Sequence, residues 1–287
     1  MIFCFAGFFR YNRVRCLEKV GVRVKIGCIQ LNVRFGKVEE NFERAEACIR
    51  EAVAKGAELV VLPEMWNTGY ALKQLDEIAD IEGIRSKQFL TRLAKELKIH
   101  IVGGSVAVKR GDKYYNTMYV MDNTGELVGE YSKAHLFRLL DEHLYLEAGN
   151  EMNNFSLGEL DAAGVICYDI RFPEWLRAHA LAGAKVLFIP AQWPTERIDH
   201  WQTILRARAI ENQCFVIAVN RTARNVDNYN GHSMVIEPWG EVLWVGGETE
   251  EVAVIDVDFS KVDEVRSHIP VYDDRRPNLY EQVIKSK

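Results

Sequence analysis

From Val22 onward the apolar and polar positions fall into alternating strand and helix periods. Val22, Val24, Ile26 and Cys28 alternate and run on into Ile29 and Leu31, which predicts a first strand with a buried far end. Over residues 38–54, Phe42, Ala45, Cys48, Ile49, Ala52 and Val53 share one helical face, and Gly56 closes the helix. Residues 58–62 form a short apolar run of the kind buried inside a sheet. Residues 85–98 predict a helix with Phe89, Leu90, Leu93, Ala94 and Leu97 inward, followed by a strand over 99–108. A hairpin over 114–121 and 127–131 turns at Asp122-Asn123-Thr124-Gly125.

The second half repeats the mixture. A strand over 163–168 runs into a helix over 173–181, with Pro173 in the first turn, where the missing N–H costs nothing. A strand over 185–189, a long helix over about 199–212 and a strand over 214–219 follow. A hairpin turning at Pro238-Trp239-Gly240-Glu241 and a last strand over 252–257 complete the pattern. With no linker or repeat, it predicts two sheets covered by helices in a single α/β domain over 22–287. From about residue 260 the chain is charged, includes Asp273-Asp274-Arg275-Arg276-Pro277, and is expected to wrap around the body or a partner subunit. Residues 1–21 are expected to be an extension outside the fold: the apolar run from Met1 to Phe9 is short, with no basic residue before it and no small-residue cleavage site after it.

Composition narrows the chemistry. Of 287 residues, 48% are hydrophobic and 27% charged, the ordinary balance of a globular protein. A net charge of -5 without any Lys/Arg-rich run speaks against a nucleic-acid partner, and no apolar run is long enough for a membrane span. The six cysteines are scattered without a CxxC pair, so neither a zinc site nor a disulfide framework is expected, and a reducing cytoplasm suits the chain. Asp141-Glu142-His143 lacks a second ligand cluster, so no metal is expected there. No G-x-S-x-G, H-E-x-x-H, P-loop or glycine-rich dinucleotide turn is present.

Three predicted strand ends carry chemistry. Cys167, in Ile166-Cys167-Tyr168-Asp169-Ile170-Arg171-Phe172-Pro173-Glu174, sits between a strand and a helix N-terminus. There it is either an exposed thiol of lowered pKa or a buried small hydrophobe. Glu64 follows Val61-Leu62-Pro63 directly and precedes Met65-Trp66-Asn67-Thr68-Gly69-Tyr70. An aromatic-walled carboxylate there suits a general base, or else pairs with an arginine or caps a helix. Lys133 ends a hairpin strand and heads an apolar segment; by itself it reads better as a solvated surface lysine. His135 and His143 invite a Cys/His dyad but read more simply as satisfied side chains among apolar neighbours.

Glu64, Lys133 and Cys167, in this order and context, resemble the nitrilase superfamily of carbon–nitrogen hydrolases. The resemblance runs from about Val24 to Tyr280 and includes Lys133-Ala134-His135-Leu136-Phe137, Arg206-Ala207-Arg208-Ala209-Ile210-Glu211-Asn212 and Gly231-His232-Ser233-Met234. It implies a four-layer α-β-β-α sandwich, a homodimer and no cofactor. It also implies Cys167 as nucleophile, Glu64 as general base and Lys133 as oxyanion donor together with the Tyr168 N–H. The family's second acidic residue maps to Glu142, which would orient Lys133 and the substrate amide.

Within the superfamily the chain is most similar to the ω-amidase branch, which includes the hydrolase associated with methionine salvage in bacilli. The stretches that carry this are Asp141-Glu142-His143-Leu144-Tyr145-Leu146 and Ala209-Ile210-Glu211-Asn212-Gln213-Cys214-Phe215-Val216. The implied substrate is 2-oxoglutaramate or 2-oxosuccinamate, hydrolysed through a cysteine thioester with release of ammonia. Alternatives are an N-carbamoyl amino acid or a nitrile; a non-enzymatic scaffold is disfavoured by the complete set of catalytic positions. Arg171 is the nearest residue for a substrate carboxylate, unless it is held in an ion pair with Glu174. Trp193 follows another strand end and either walls the pocket or packs in the core.

Overall fold

A computed structural model describes residues 22–223 and 228–284; the expectation for residues 1–21 lies outside the described residues. In chain order the elements are β1 (Arg23–Gln30), α1 (Val38–Ala54), β2 (Leu59–Val61), α2 (Leu75–Ile78), β3 (Asp80–Ile81), α3 (Ile84–Leu97), β4 (His100–Val102) and β5 (Val106–Arg110). There follow β6 (Lys113–Met121), β7 (Leu127–Ser132), α4 (Glu142–Tyr145), β8 (Asn154–Leu157), β9 (Leu160–Gly164), α5 (Pro173–Leu181) and β10 (Val186–Ala191). The remainder is α6 (Ile198–Asn212), β11 (Phe215–Asn220), β12 (Met234–Ile236), β13 (Val242–Val245), β14 (Glu251–Asp258), α7 (Lys261–His268) and α8 (Pro277–Ile284).

Two sheets stack face to face between helices, giving the α-β-β-α sandwich. The first runs β14-β1-β2-β4-β6-β5-β3, with β7 also pairing β6; the second runs β13-β12-β11-β10-β9-β8. The period-2 alternation of β1 and β2 explains the layering. Ile26, Cys28, Leu59 and Val61 face the other sheet, whereas Ile29, Val60 and Leu62 meet α1 and α3 through Ile49, Leu90 and Leu93. Both strands are therefore buried on both sides, and parallel pairing matches Ile26 with Leu59 and Val61 with Val102. In the second sheet β9, β10 and β11 are parallel, with Phe188 opposite Gly164 on one side and Ile217 on the other. Trp201, Leu205 and Ala209 recur at helical spacing and seat α6 on this sheet's outer face.

Three departures from the sequence pattern matter for the site. The single strand expected over 99–108 is broken into β4 and β5 by Gly103-Gly104-Ser105. Gly104 holds φ +59, and a Cβ there would lie 2.1 Å from the Pro63 carbonyl oxygen, so only glycine lets the two segments approach. Ser105 can then donate its N–H to Pro63 O and accept the Met65 N–H on Oγ, fixing the turn that carries Glu64. The strand expected over 163–168 ends at Gly164, and an unforeseen partner, β8, precedes it as a hairpin arm. The charged segment after Phe259 forms α7 and α8. Val262 and Val265 anchor α7, and Gln213 Nε2 donates to Ile269 O.

Candidate active site

The two parallel cores carry their strand-end residues to one place. Glu64 follows β2, Lys133 follows β7, Cys167 follows β9 and Glu142 opens α4. Glu64, Lys133 and Glu142 have no exposed surface, and Cys167 is 6% exposed.

Lys133 Nζ lies 2.9 Å from Glu64 Oε1 and 2.7 Å from Glu142 Oε1. Burial alone would lower the lysine pKa, but Glu142 and Glu64 outweigh it and hold the ammonium well above its ordinary range. Glu142 is pushed up by burial, with Glu64 adding to the shift and Lys133 opposing it. Glu64 is held from several elements: Asn116 Nδ2 donates to Oε1 at 2.8 Å, and the Gln192 N–H to Oε2 at 2.8 Å. Gln192 Nε2 also donates to the Glu64 carbonyl, and Arg221 Nη1 secures Gln192 Oε1. Tyr70 Oη lies 2.8 Å from Glu64 Oε1 and 2.6 Å from Glu142 Oε1.

Cys167 heads a 3₁₀ turn, Cys167–Arg171, with φ +46, a left-handed conformation that costs a non-glycine residue about 1–2 kcal/mol. Asp169 fixes this corner. Its carboxylate accepts the Ile166 N–H at 2.9 Å, the Tyr131 hydroxyl at 2.8 Å and the His135 N–H at 3.0 Å. The His135 ring also lies 2.7 Å from Asp169 and stacks on Phe172 at 3.7 Å, so this histidine is spent on the corner, as the simpler reading had it.

The expectation of an exposed thiol with lowered pKa is overturned. Cys167 is buried, and burial pushes its thiol well above the usual range; the Glu64 charge adds to this and Lys133 opposes it. The turn after Cys167 is too short to supply a strong helix-end field, and the one lysine is already answered by two carboxylates. A thiol in this setting needs a base beside it to become nucleophilic.

Cys167 opens into a narrow pocket. Tyr168, Arg171, Trp193, Phe137 and Arg197 line it. Arg171 lies with its guanidinium 4.7 Å from the Trp193 ring centre and 3.2 Å from His200 Nδ1. The anticipated ion pair with Glu174 is not formed, and neither Arg171 nor Arg197 has a carboxylate partner among the described residues. Burial, with the Arg197 charge adding to it, lowers the Arg171 pKa. Trp193 takes both anticipated roles, walling the pocket and packing on Trp201 at 5.4 Å. A wider open groove, lined by Lys37, Glu39, Glu77, Asp80 and Arg85, contains no cysteine, serine or threonine nucleophile.

Tyr70, Asn116, Gln192, Asp169 and Arg197 were not singled out as site residues from sequence. Asn116 left a trace as a lone amide inside the apolar-rich strand β6. No group of three or more His, Cys, Asp or Glu residues able to hold a metal occurs among the described residues. Among them, no helix is long and apolar enough to cross a membrane.

Comparison with known proteins agrees with this geometry. Residues 25–267 match the carbon–nitrogen hydrolase family. The chain is 52% identical over 256 residues to the 2-oxoglutaramate amidase of Bacillus subtilis, covering 89% of this chain and 98% of that protein. It is 35% identical over 266 residues to the human omega-amidase NIT2, covering 89% and 96%. Among solved structures it is similar to Saccharomyces cerevisiae Nit3, a member of branch 10 of the nitrilase superfamily. That match has a TM-score of 0.80 and 30% identity, over 86% of this chain and 94% of the other.

Proposed function

The chain belongs to the carbon–nitrogen hydrolase family, and on that premise we propose that it deamidates a small 2-oxo acid amide, 2-oxoglutaramate or 2-oxosuccinamate. The observation that carries this reading is Arg171, facing the pocket over Cys167 with no carboxylate partner among the described residues. A guanidinium in that position can hold a substrate carboxylate by two parallel hydrogen bonds. The 52% identity to a 2-oxoglutaramate amidase supports the same choice.

In this reading Glu64 takes the Cys167 proton, and the sulfur attacks the amide carbonyl. The raised thiol pKa makes that proton transfer the first requirement of the reaction. Lys133 Nζ donates to Glu64 and Glu142 and has a longer contact of 3.4 Å to Tyr70 Oη; that third N–H turns to the oxyanion, together with the Tyr168 N–H. A preorganised donor of this kind contributes about 3 kcal/mol to the barrier. Glu64 returns the proton to the leaving nitrogen, ammonia departs, and Glu64 then activates water to hydrolyse the thioester. Glu142 holds Lys133 and receives the Phe137 N–H on its other oxygen, at 3.0 Å.

The chain is proposed to work in the cytoplasm as a homodimer without a cofactor. In support, Leu181 on α5 and Ile210 on α6 are apolar side chains more than two-fifths exposed on neighbouring helices.

Ammonia release from 2-oxoglutaramate, 2-oxosuccinamate, glutamine, an N-carbamoyl amino acid and an aliphatic nitrile tests the reading, with Cys167→Ala as blank. Preference for the two keto-acid amides is expected. Turnover of the carbamoyl compound or nitrile alone would keep the cysteine chemistry and reject the substrate.

A further inference from the structure

Tyr70 presents a proton-counting problem that its neighbours resolve in one way. Its hydroxyl has a single proton, yet its oxygen lies within hydrogen-bond distance of two carboxylates, Glu142 Oε1 at 2.6 Å and Glu64 Oε1 at 2.8 Å. Glu142 Oε1 otherwise receives only Lys133, so the Tyr70 O–H fills its second lone pair. Glu64 Oε1 also accepts from Lys133 Nζ at 2.9 Å and Asn116 Nδ2 at 2.8 Å, and Lys133 Nζ lies 3.4 Å from the Tyr70 oxygen, so the one Tyr70 proton is committed to Glu142. A close third contact to Glu64 Oε1 is favourable when the proton lies on Glu64 and points at Tyr70. The charge count agrees. Two fully buried carboxylates face one ammonium, and a single extra proton brings Glu64, Glu142 and Lys133 to neutrality.

We propose that Glu64 and Glu142 share one proton through the Tyr70 hydroxyl, so that the two carboxyls act as a single acid–base unit. With the proton on Glu142, Glu64 is free to take the Cys167 proton. With the proton on Glu64, that residue is ready to give it to the leaving nitrogen. Passage between the two breaks the Glu64 O–H as the Tyr70 oxygen gains that proton, while the original Tyr70 proton moves to Glu142. One proton is transferred, the tyrosine ends neutral and no electron changes hands. The other charged or titratable groups around Tyr70 are Lys133, Cys167 and, across the pocket, Arg171 and Arg197. Tyr70 is thus a positioning residue acting through the carboxyls, and the proposal rests on Glu64 being the base for Cys167.

Tyr70→Phe keeps the ring and removes the bridge. Measured with whichever amide is turned over best, kcat is expected to fall about 10²-fold, the lower end of acid–base contributions, with KM changed less than about two-fold. The alkaline limb of the pH profile is expected to move to lower pH, because the shared proton loses its bridge. Glu142→Gln is expected to lose a similar amount, and the double variant to be no slower than Glu142→Gln alone. Wild-type kcat and limbs in Tyr70→Phe, a rise in KM alone, or losses that multiply in the double variant would each overturn the proposal. Iodoacetamide alkylation of Cys167, followed by peptide mass against pH, gives the same information without a substrate. A shifted profile in Tyr70→Phe supports the shared proton even where every amide in the panel fails, and an unshifted one rejects it.

Discussion

Lys133→Met tests the central electrostatic claim, because methionine fills similar space and removes only the charge and its donors. Lys133 has no exposed surface and touches two carboxylates, at 2.9 and 2.7 Å. Removing one partner of a buried ion pair leaves an uncompensated charge and costs about 3–5 kcal/mol. For a chain of this size that corresponds to a melting temperature lower by roughly 6–20 °C at neutral pH. The sign of the pH dependence is fixed by the same geometry. Burial already raises the Glu142 pKa, and without the opposing ammonium Glu142 holds its proton still more tightly folded than unfolded, so the folded state binds more protons and stability falls as pH rises. The deficit against wild type should therefore be largest at neutral and alkaline pH, and shrink on acidification toward the ordinary carboxylate range. Loss of the oxyanion donor separately removes about 3 kcal/mol from catalysis, or 10²–10³-fold in kcat. Scanning calorimetry at mildly acidic and mildly alkaline pH, paired with ammonia release, reads both effects. A variant that melts like wild type at both pH values, or turns over at the wild-type rate, would refute the reasoning.

At Cys167 the left-handed backbone reverses the usual rank of glycine and alanine. Cys167→Gly and Cys167→Ala should both be inactive, but the glycine variant should be the more stable by about 1 kcal/mol, as seen by chemical denaturation. Alanine being equal or better would remove the strain from the account. Arg171→Lys keeps charge but loses the two-pronged geometry, so KM for keto-acid amides should rise about 10-fold or more while neutral amides are spared. Equal loss on both substrate types would make Arg171 structural.

The sequence by itself determined most of the elements and the family. Side-chain direction follows period 2 in β1 and burial follows period 3.6 in α1, and both periods are properties of neighbouring residues, so the helix over 38–54 was read to its ends. Glu64, Lys133 and Cys167 were legible as residues at predicted strand ends whose order and context together resemble a known family. Their environment was not. Glu64 is held by Asn116, 52 positions away, and by Gln192, 128 positions away, and no local period records such partners. Whether Arg171 met Glu174 or the pocket, whether the thiol was exposed or buried, and which hydroxyl lay between the two carboxyls were decided only when the two sheets packed. Charge, burial and proton sharing depend on which groups meet in space, and it is tertiary packing of distant strand ends that sets those distances.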